Sequence, residues 1–366
     1  MKIIQLAINP TSFGNCSIGI LNELYKRNYN DFILSDIGNP DLSTFDKLRN
    51  DEGFINWLND KRTNFLEKYS REYNKFSLWH INGSENSISN NNTLETFFEL
   101  DSITPTEKNI LNQQNRVVVT SQYTKDVFID GGVTVPIDII PLGFDSLHFY
   151  NKEEKRKIPE EICSWTVGPS KFENRKRHLK TIKLWIKKFS NNPKHILNIA
   201  VYNPFLKPED NQRILGALFD GKPKPFNCNI LSYLPSNAEV NDLLNMTDII
   251  INGSGAEGWS LPDFNAAALG KHVICHYNTG MKEWANEGNA TLVEASIKIP
   301  AADGMFFRPD GPFNVGNIFD YDEQEFLDKL DVVYDKWKAN RINTEGLKLV
   351  EQFTWTKTVD KILEVI

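Results

Sequence analysis

Residues 255–270 read Gly-Ala-Glu-Gly-Trp-Ser-Leu-Pro-Asp-Phe-Asn-Ala-Ala-Ala-Leu-Gly, a polar glycine-bearing loop that leads into a short helix. Proline favours the first turn of a helix and glycine the position just past its last turn, so Pro262 and Gly270 mark the two ends. An apolar run precedes the loop at 247–252, and another follows the helix at 272–276. The order strand, loop, helix, strand predicts an α/β unit.

The same stretch carries the features of a binding site for an anion. A loop that enters a helix after a strand offers unpaired backbone N–H groups and the positive end of the helix dipole. The carboxylate of Glu257 lies in this loop. An anion site beside a carboxylate predicts a phosphorylated ligand whose other end carries hydroxyl groups.

These residues resemble the signature of the family-4 retaining glycosyltransferases of GT-B fold, where a Glu-Gly-Phe-Gly-Leu-Pro-x-x-Glu run binds the nucleotide-sugar donor. An ordinary glycine-rich turn of a doubly wound domain is the alternative, since isolated glycine motifs occur by chance. Trp259 replaces the usual phenylalanine, Ser260 the second glycine and Asn265 the second glutamate. The residues that match are Glu257, Gly258, Leu261 and Pro262.

Length and composition indicate a globular protein with two domains. The chain has 366 residues, of which 40% are hydrophobic and 11% aromatic, enough for two cores. The formal net charge of −7 argues against a surface that is basic throughout and leaves room only for a local basic groove.

Cysteine spacing and hydropathy favour a cytoplasmic enzyme or binding protein. The four cysteines form no Cys-x-x-Cys pair, so neither a disulfide framework nor a zinc cluster is indicated. The N-terminal apolar run is too short for a signal peptide and is typical of a first strand. No segment reaches about 18 consecutive apolar residues, the length that a membrane span needs.

Strand and helix patterns alternate along the chain, which predicts an α/β protein with parallel sheets. We assign residues 1–155 to a first Rossmann-like domain, 156–345 to a second and 346–366 to a C-terminal helix. The charged, proline-containing segment near 150–160 is predicted to be the linker. We also predict a polar loop at 82–92 and a strand at 230–234.

Two further segments extend the resemblance. Residues 119–149 are similar to the end of the family's first domain, where a Ser-x-x-Thr helix precedes an Ile-Pro-x-Gly-x-Asp turn. Residues 353–366 resemble the Phe-x-Trp helix that closes GT-B chains and packs back toward the first domain. The resemblance therefore implies two Rossmann-like domains that face a cleft, with the donor bound mainly by the second.

The resemblance also implies groups that neutralise the leaving diphosphate. Residues 168–178 resemble the family's Gly-Arg-x(n)-Arg-Lys segment, and Arg175 and Lys176 match its later pair. Pro169 stands where an arginine is expected, and Lys171 is the candidate to replace it. The alternative is a solvated basic face, because lysines continue at helical spacing to position 188.

Roles for the loop residues follow from the resemblance. Glu257 is expected to accept hydrogen bonds from hydroxyls of the donor sugar, and the N–H groups of residues 259–261 to bind phosphate beside Gly258. Asn265 stands where a glutamate normally accepts from both ribose hydroxyls. An amide can still pair with a diol but carries no charge, so nucleoside affinity is the property in question.

Three candidates lie in the first domain. Gly14, in a turn-rich segment predicted as a loop at 9–17, resembles the glycine that lets the backbone approach the donor. His80, at the end of a strand, is placed near the reacting sugar, and a structural role is the alternative. Glu99 resembles an acceptor-side glutamate, and the alternative is a helix cap or surface residue.

The family uses no metal, and no cofactor is expected beyond the nucleotide-diphosphate sugar as co-substrate. Asp320-Tyr321-Asp322 fits the Asp-x-Asp pattern of metal-dependent transferases, but we interpret it as a turn that caps a helix. A retained anomeric configuration is likewise implied by the family and not by spacing.

The sequence therefore predicts a retaining glycosyltransferase whose acceptor is open. A surface or lipid-linked glycan is the commonest acceptor in the family, and a protein is another. A hydroxymethylated base of viral DNA is the third, for which the basic run at 175–188 could contribute a groove. A non-catalytic nucleotide-sugar-binding protein is the alternative class, and the departures at Pro169 and Asn265 motivate it.

Overall fold

Two parallel six-stranded sheets form the framework of the computed structural model, which describes residues 1–153, 158–204, 206–303 and 306–366. The part built on the first sheet is called the N-terminal half, and the part built on the second sheet the C-terminal half. The first sheet contains β1 (Lys2–Leu6), β2 (Phe32–Asp36), β3 (Asn74–Leu78), β4 (Asn91–Glu95), β5 (Arg116–Val119) and β6 (Ile137–Ile139). The second contains β7 (Cys163–Ser170), β8 (His195–Val201), β9 (Cys228–Ile230), β10 (Ile249–Asn252), β11 (His272–Tyr277) and β12 (Thr291–Glu294).

Helices cover both faces of each sheet, as parallel sheets require. No helix in the described ranges has a stretch long and apolar enough to cross a lipid bilayer. The helices of the N-terminal half are α1 (Ser12–Lys26), α2 (Asp46–Arg49), α3 (Glu52–Lys68), α4 (Pro105–Asn112) and α5 (Gln122–Asp130). The later ones are α6 (His178–Phe189), α7 (Pro208–Ala217), α8 (Asn237–Met246), α9 (Leu261–Ala268), α10 (Glu323–Ala339), α11 (Thr344–Leu347), α12 (Leu349–Gln352) and α13 (Trp355–Val365).

The strand order of each sheet creates a crevice. The first sheet has the order β2-β1-β3-β4-β5-β6 and the second the order β12-β11-β10-β7-β8-β9. Connections therefore diverge between β1 and β3 in the first sheet and between β7 and β10 in the second. Ligands of open α/β sheets bind where the connections diverge, at the carboxyl ends of the strands. The fold thus supplies two candidate binding crevices.

The C-terminal helix α13 packs on the N-terminal half, as expected. Gly19 of α1 lies so close to it that a Cβ there would stand 2.1 Å from Trp355 Cε2. Thr358 Oγ1 donates to the carbonyl of Pro141 at 2.8 Å, and Arg27 forms an ion pair with Asp360 at 2.5 Å. The α/β class and this returning helix are confirmed.

A two-stranded extension links the halves. Strands β13 (Ile297–Pro300) and β14 (Asn317–Asp320) pair antiparallel beside the second sheet. The carboxylate of Asp101, in the N-terminal half, accepts from Lys298 Nζ at 3.0 Å and from the backbone N–H of Asn317 at 2.8 Å. The predicted domain boundary between residues 155 and 156 lies outside the described residues and stays a prediction.

The predicted polar loop at 82–92 is confirmed for residues 82–90, but its last two residues begin the inner strand β4. This strand was not predicted, because Asn91-Asn-Thr-Leu-Glu95 lacks the apolar run that identifies a buried strand. The predicted strand at 230–234 is instead Cys228–Ile230, two residues earlier. The pairing of Cys228–Ile230 with Leu197–Ile199 of β8 sets this register, and single-sequence patterns do not reveal it.

The predicted loop at 9–17 is also wrong, because α1 begins at Ser12. Gly14 therefore lies in the first turn of a helix. A Cβ at this position would stand 1.7 Å from the carbonyl oxygen of Asn9, so the chain's own backbone requires the glycine. The Asp322 side chain caps α10, as the capping interpretation of that turn requires, and the Ser121 side chain caps α5.

Candidate active site

The candidate site lies at the crevice of the second sheet, where the chain leaves β7 on one side and β10 on the other. The segment after β7 carries Lys171, Arg175 and Lys176, and the loop after β10 carries Glu257. A small pocket lies between them, lined by Gly168, Ser170, Lys176, His178, Ile251, Asn252, Gly253, Glu257, Ser260, Pro262 and Asp263.

Glu257 is buried and paired with cations. Its carboxylate contacts Lys176 Nζ directly and lies 3.5 Å from Nη1 of Arg175. Burial raises the pKa of Glu257, but the charges of Lys176 and Arg175 outweigh that effect and hold the pKa below its ordinary value. The loop therefore presents an ionised carboxylate next to two positive charges.

Arg175 is the buried centre of this network. Its guanidinium donates to the carbonyl of Ala256 and pairs with Glu173 at 2.6 Å. Nη1 also lies 3.1 Å from the carboxylate of Glu99, which belongs to the N-terminal half. Arg175 thus joins both sides of the cleft and fixes the Glu257 loop through its backbone.

Glu99 lies in a non-helical segment after β4, so the helix-cap interpretation of this residue is wrong. Enclosure between the two halves raises the pKa of Glu99 above its ordinary value. The charge of Arg175 opposes this effect, and the charge of Glu257 adds to it. Three segments far apart in the sequence therefore meet in one cluster, which contains Glu99, the adjacent pair Arg175 and Lys176, and Glu257.

Glu173 is a functional candidate that the sequence analysis missed. It accepts from Arg175 and lies 3.1 Å from Lys171 Nζ, and these positive charges lower its pKa to about 2 although burial opposes this. Lys171 also stands 4.3 Å above the ring of Phe306. The available signal was that Glu173 is the single acidic residue among the four basic residues of 171–177, but the run looked like a basic face.

The start of α9 holds a second unpredicted carboxylate. Ser260 adopts φ +67°, the left-handed conformation that favours glycine, at the position where the family motif has one. Its hydroxyl donates to Asp263, which also accepts from the Asn252 amide. Burial raises the pKa of Asp263 to about 7, so its charge near the pocket changes around neutral pH.

A buried histidine borders the same pocket. The His178 ring lies 2.9 Å from the Ser170 hydroxyl. Burial and the neighbouring Lys176 charge lower the pKa of His178 to about 3, so the ring is neutral at pH 7. Nothing in the local pattern distinguishes this histidine from the basic residues around it.

The remaining motif residues divide into two groups. Gly258 faces the N-terminal half, where a Cβ would stand 2.9 Å from Phe97 Cβ. The Trp259 indole packs between Phe264 and Phe353 in the core, so its side chain does not face the pocket.

Leu261 begins α9 and is half-buried, whereas Asn265 is 7% exposed and does not line the pocket. The Asn265 side chain is therefore not a surface group of α9. It lies three residues after the pocket-lining Pro262, and its contact with the nucleoside stays a prediction.

His80 lies on the N-terminal side of the cleft, two residues past β3, with an exposed ring. The ring packs 4.3 Å from that of Phe13. Partial enclosure and the positive charge of Lys171 lower the pKa of His80, so it is neutral at pH 7.

The two halves touch beside the Glu257 loop. Thr120 Oγ1 donates to the carbonyl of Gly258 at 2.8 Å, and the Gln122 amide donates to Glu283 at 3.0 Å. These contacts close one side of the cleft and reduce the access of water to the carboxylate cluster.

Three of the four lysines of α6 have acidic partners. Lys180 pairs with Asp320 at 2.8 Å, Lys183 with Asp220 at 2.6 Å and Lys188 with Asp331 at 2.6 Å. These lysines do not form the unpaired positive strip that a nucleic-acid groove requires.

Asp320 and Asp322 have structural roles here. Asp320 binds Arg177 and Lys180, and Asp322 caps α10, so the interpretation of this segment as a capping turn is confirmed. Within the described ranges no group of three or more histidine, cysteine, aspartate or glutamate side chains is arranged to hold a metal ion. Metal independence stays a prediction.

Comparison with known proteins identifies the fold. No protein-family model and no curated protein sequence matches the chain. Among solved structures, a glycosyltransferase from Rickettsia africae is 14% identical with a TM-score of 0.69, covering 100% of this chain and 97% of its own. Sucrose-phosphate synthase from Thermosynechococcus elongatus is 14% identical with a TM-score of 0.66, and the match covers 100% of this chain and 98% of that one. Anabaena HepE in complex with UDP-glucose is 13% identical with a TM-score of 0.66, and the match covers 100% of this chain and 99% of that one. The fold is therefore GT-B, with two Rossmann-like parts.

Proposed function

We propose that this GT-B chain is a glycosyltransferase that moves a sugar from a nucleoside-diphosphate donor to an acceptor hydroxyl. The observation that carries the proposal is the cluster of Glu257, Lys176 and Arg175 at the crevice of the second sheet. Its members come from the two loops that diverge there, opposite His80 and Glu99 of the other half. The neighbour HepE, whose structure contains UDP-glucose, supports a nucleotide-sugar donor for the same fold.

Lys176 and Arg175 have the chemistry that a departing diphosphate needs. When the bond between the anomeric carbon and the diphosphate oxygen breaks, its electron pair leaves with the diphosphate. Positive groups held near that oxygen stabilise the transition state more than the ground state, because charge accumulates there. The two cations are already fixed by Glu257 and Glu173, so they need little reorganisation.

Glu257 has the complementary role toward the sugar. An ionised carboxylate accepts hydrogen bonds from hydroxyl groups and orients the ring without forming a covalent bond. Once a diphosphate competes for Lys176, the Glu257 oxygens become available to the sugar. Contacts between the halves near Gly258 would exclude water and limit hydrolysis of the donor.

Retention of the anomeric configuration, independence of metal ions and a cytoplasmic location belong to this proposal through the resemblance to family-4 enzymes and the composition. Proton NMR of the first product tests whether the anomeric configuration is retained. Activity in excess EDTA tests whether the enzyme is independent of metal ions. Glycans and proteins stay open as acceptors. The paired lysines of α6 argue against duplex DNA.

Release of nucleoside diphosphate from a panel of sugar nucleotides tests the central proposal. Glu257→Gln and Lys176→Ala should each lower turnover at least 100-fold, since each removes a group at the reacting centre. The matched controls Glu67→Gln and Lys68→Ala change exposed residues of α3 and should leave turnover unchanged.

Two outcomes would contradict this function. Absence of binding and turnover across the panel would refute a nucleotide-sugar enzyme altogether. Tight donor binding without turnover, unaffected by Glu257→Gln, would favour the non-catalytic binding protein.

A further inference from the structure

The crevice of the first sheet, which the donor chemistry does not use, holds a cluster of aromatic rings. The connections diverge between β1 and β3, and Phe13 follows β1 whereas Trp79 and His80 follow β3. Phe97 joins them from the end of β4. These four residues are called the aromatic platform, and they occupy the position at which open α/β sheets bind ligands.

Phe13 is the centre of the platform. Its ring centroid lies 5.5 Å from that of Trp79, 4.3 Å from that of His80 and 4.7 Å from that of Phe97, with tilted planes. Trp79 and His80 also contact each other at 5.1 Å and 74°. Packing of this kind holds the outer rings in fixed orientations, which lowers the entropy lost when a ligand binds.

The outer rings of the platform are accessible although the central one is buried. Phe13 is 7% exposed, whereas Trp79 and Phe97 are half-buried and His80 is exposed. Neither ring nitrogen of His80 has a hydrogen bond to another described residue. An apolar surface with an adjacent free polar atom is typical of a small-molecule site.

The platform adjoins the donor pocket. Phe97 packs against Gly258, the residue after Glu257, and Lys171 is close enough to His80 to lower the pKa of its ring. A ligand on the platform would therefore lie across the cleft from the cluster of Glu257 and Lys176. This is where an acceptor must lie to reach the anomeric carbon of a bound donor.

A polar loop forms the rim of the platform. Gly83, with φ +102°, leans over the Trp79 indole, and a Cβ there would stand 2.8 Å from Nε1. The neighbouring Asn82, Glu85 and Asn86 are exposed. Amide and carboxylate groups beside an aromatic face suit a ligand that has both hydroxyl groups and an apolar face.

We propose that the aromatic platform is the acceptor subsite and that it binds a pyranose ring of a neutral carbohydrate. The inference rests on the proposed function. One face of a pyranose presents C–H groups that pack on Trp79, and its hydroxyls reach His80 and the rim. A polyanionic acceptor is disfavoured because the net charge is −7 and three of the four lysines of α6 are paired with acidic residues.

The test measures binding and transfer separately. Cellobiose, maltose and N,N′-diacetylchitobiose serve as neutral acceptors, and duplex DNA that contains 5-hydroxymethylcytosine serves as the polyanionic one. Binding without donor is followed by titration calorimetry, and transfer by release of nucleoside diphosphate. Trp79→Ala and Trp79→Phe are compared with Tyr69→Ala, which alters an exposed aromatic residue that follows α3.

At least one disaccharide should bind and stimulate release of nucleoside diphosphate. Trp79→Ala should raise the KM for that acceptor at least tenfold and change the affinity for nucleoside diphosphate less than twofold. Trp79→Phe should restore much of the lost affinity, and Tyr69→Ala should have no effect. A structural defect alone would not separate the two affinities.

Binding of the modified DNA and none of the disaccharides would overturn the inference, as would an unchanged acceptor KM in Trp79→Ala. Absence of donor turnover in every condition would refute the proposed function instead. The calorimetric comparison of wild type and Trp79→Ala would still decide whether the platform binds carbohydrate.

Discussion

Replacing Glu95 with glutamine should make the protein more stable, by an amount that grows with pH. Glu95 ends the inner strand β4, is 0% exposed and pairs in register with Leu78 and Val118. Neither carboxylate oxygen has a hydrogen-bond partner among the described residues. Burial raises the pKa of this carboxyl from its ordinary 4.5 to about 8.

The magnitude follows from proton linkage. Between pH 4.5 and 8 the unfolded chain has lost the Glu95 proton and the folded chain retains it. Because the folded state then binds one more proton, its stability falls by about 1.4 kcal/mol for each pH unit. The accumulated loss is roughly 3 kcal/mol at pH 7 and roughly 5 kcal/mol above pH 8. Glutamine has no proton to lose and removes this loss.

Urea unfolding followed by circular dichroism at pH 5, 6, 7 and 8 measures the effect. The free energy of unfolding of Glu95→Gln minus that of the wild type should be smallest at pH 5 and increase steadily. Titration of the other groups cancels in this difference, and the exposed Glu67→Gln serves as the matched control. A difference that is constant over this pH range would refute the reasoning, whatever its sign.

Three further predictions concern the site and the returning helix. Asp263 ionises with a pKa of about 7, and its negative charge then repels a bound diphosphate. The affinity for the best-binding nucleotide sugar, measured by calorimetry, should therefore fall several-fold from pH 6 to pH 8. The Asp263→Asn variant should show no such fall. Gly258→Ala should raise the donor KM at least tenfold, because the added methyl group forces the halves apart. Gly216→Ala is the control, since a Cβ there meets nothing within 4 Å, and it should leave the donor KM unchanged. The same donor KM in both variants would contradict this reasoning. Gly19→Ala should destabilise the packing of α13 on α1 by about 1–3 kcal/mol, because the added methyl group overlaps the Trp355 ring. The expected result is a lower Tm and faster trypsin cleavage near residue 353. An unchanged Tm would contradict the close packing of the two helices.

Local sequence patterns were sufficient for the alternation of strands and helices and for the helix α9. Pro262 and Gly270 delimit α9 closely because they act on the backbone conformation of their own turns. Strand β4 was missed because local patterns report only on the segment itself. Asn91-Asn-Thr-Leu-Glu95 has no apolar run, and its burial comes from the neighbouring strands.

The members of the site were partly predictable. Glu257, Arg175 and Lys176 stand in motifs that a single sequence reveals. Glu173 and Asp263 were missed, since a carboxylate next to lysines or inside a helix has no distinctive local pattern. Their importance arises from burial, which only the packed loops produce.

The sequence alone determined the alternation of strands and helices, the loop at Glu257 and the cations that match it. These features depend on residues within a few positions of one another. The tertiary structure alone decided that Lys176 meets Glu257 across 81 positions, that three of the four lysines of α6 pair with acidic residues and that four rings assemble into the aromatic platform. Such contacts depend on the order of strands in the sheets, which brings distant loops to one edge and which local patterns do not encode.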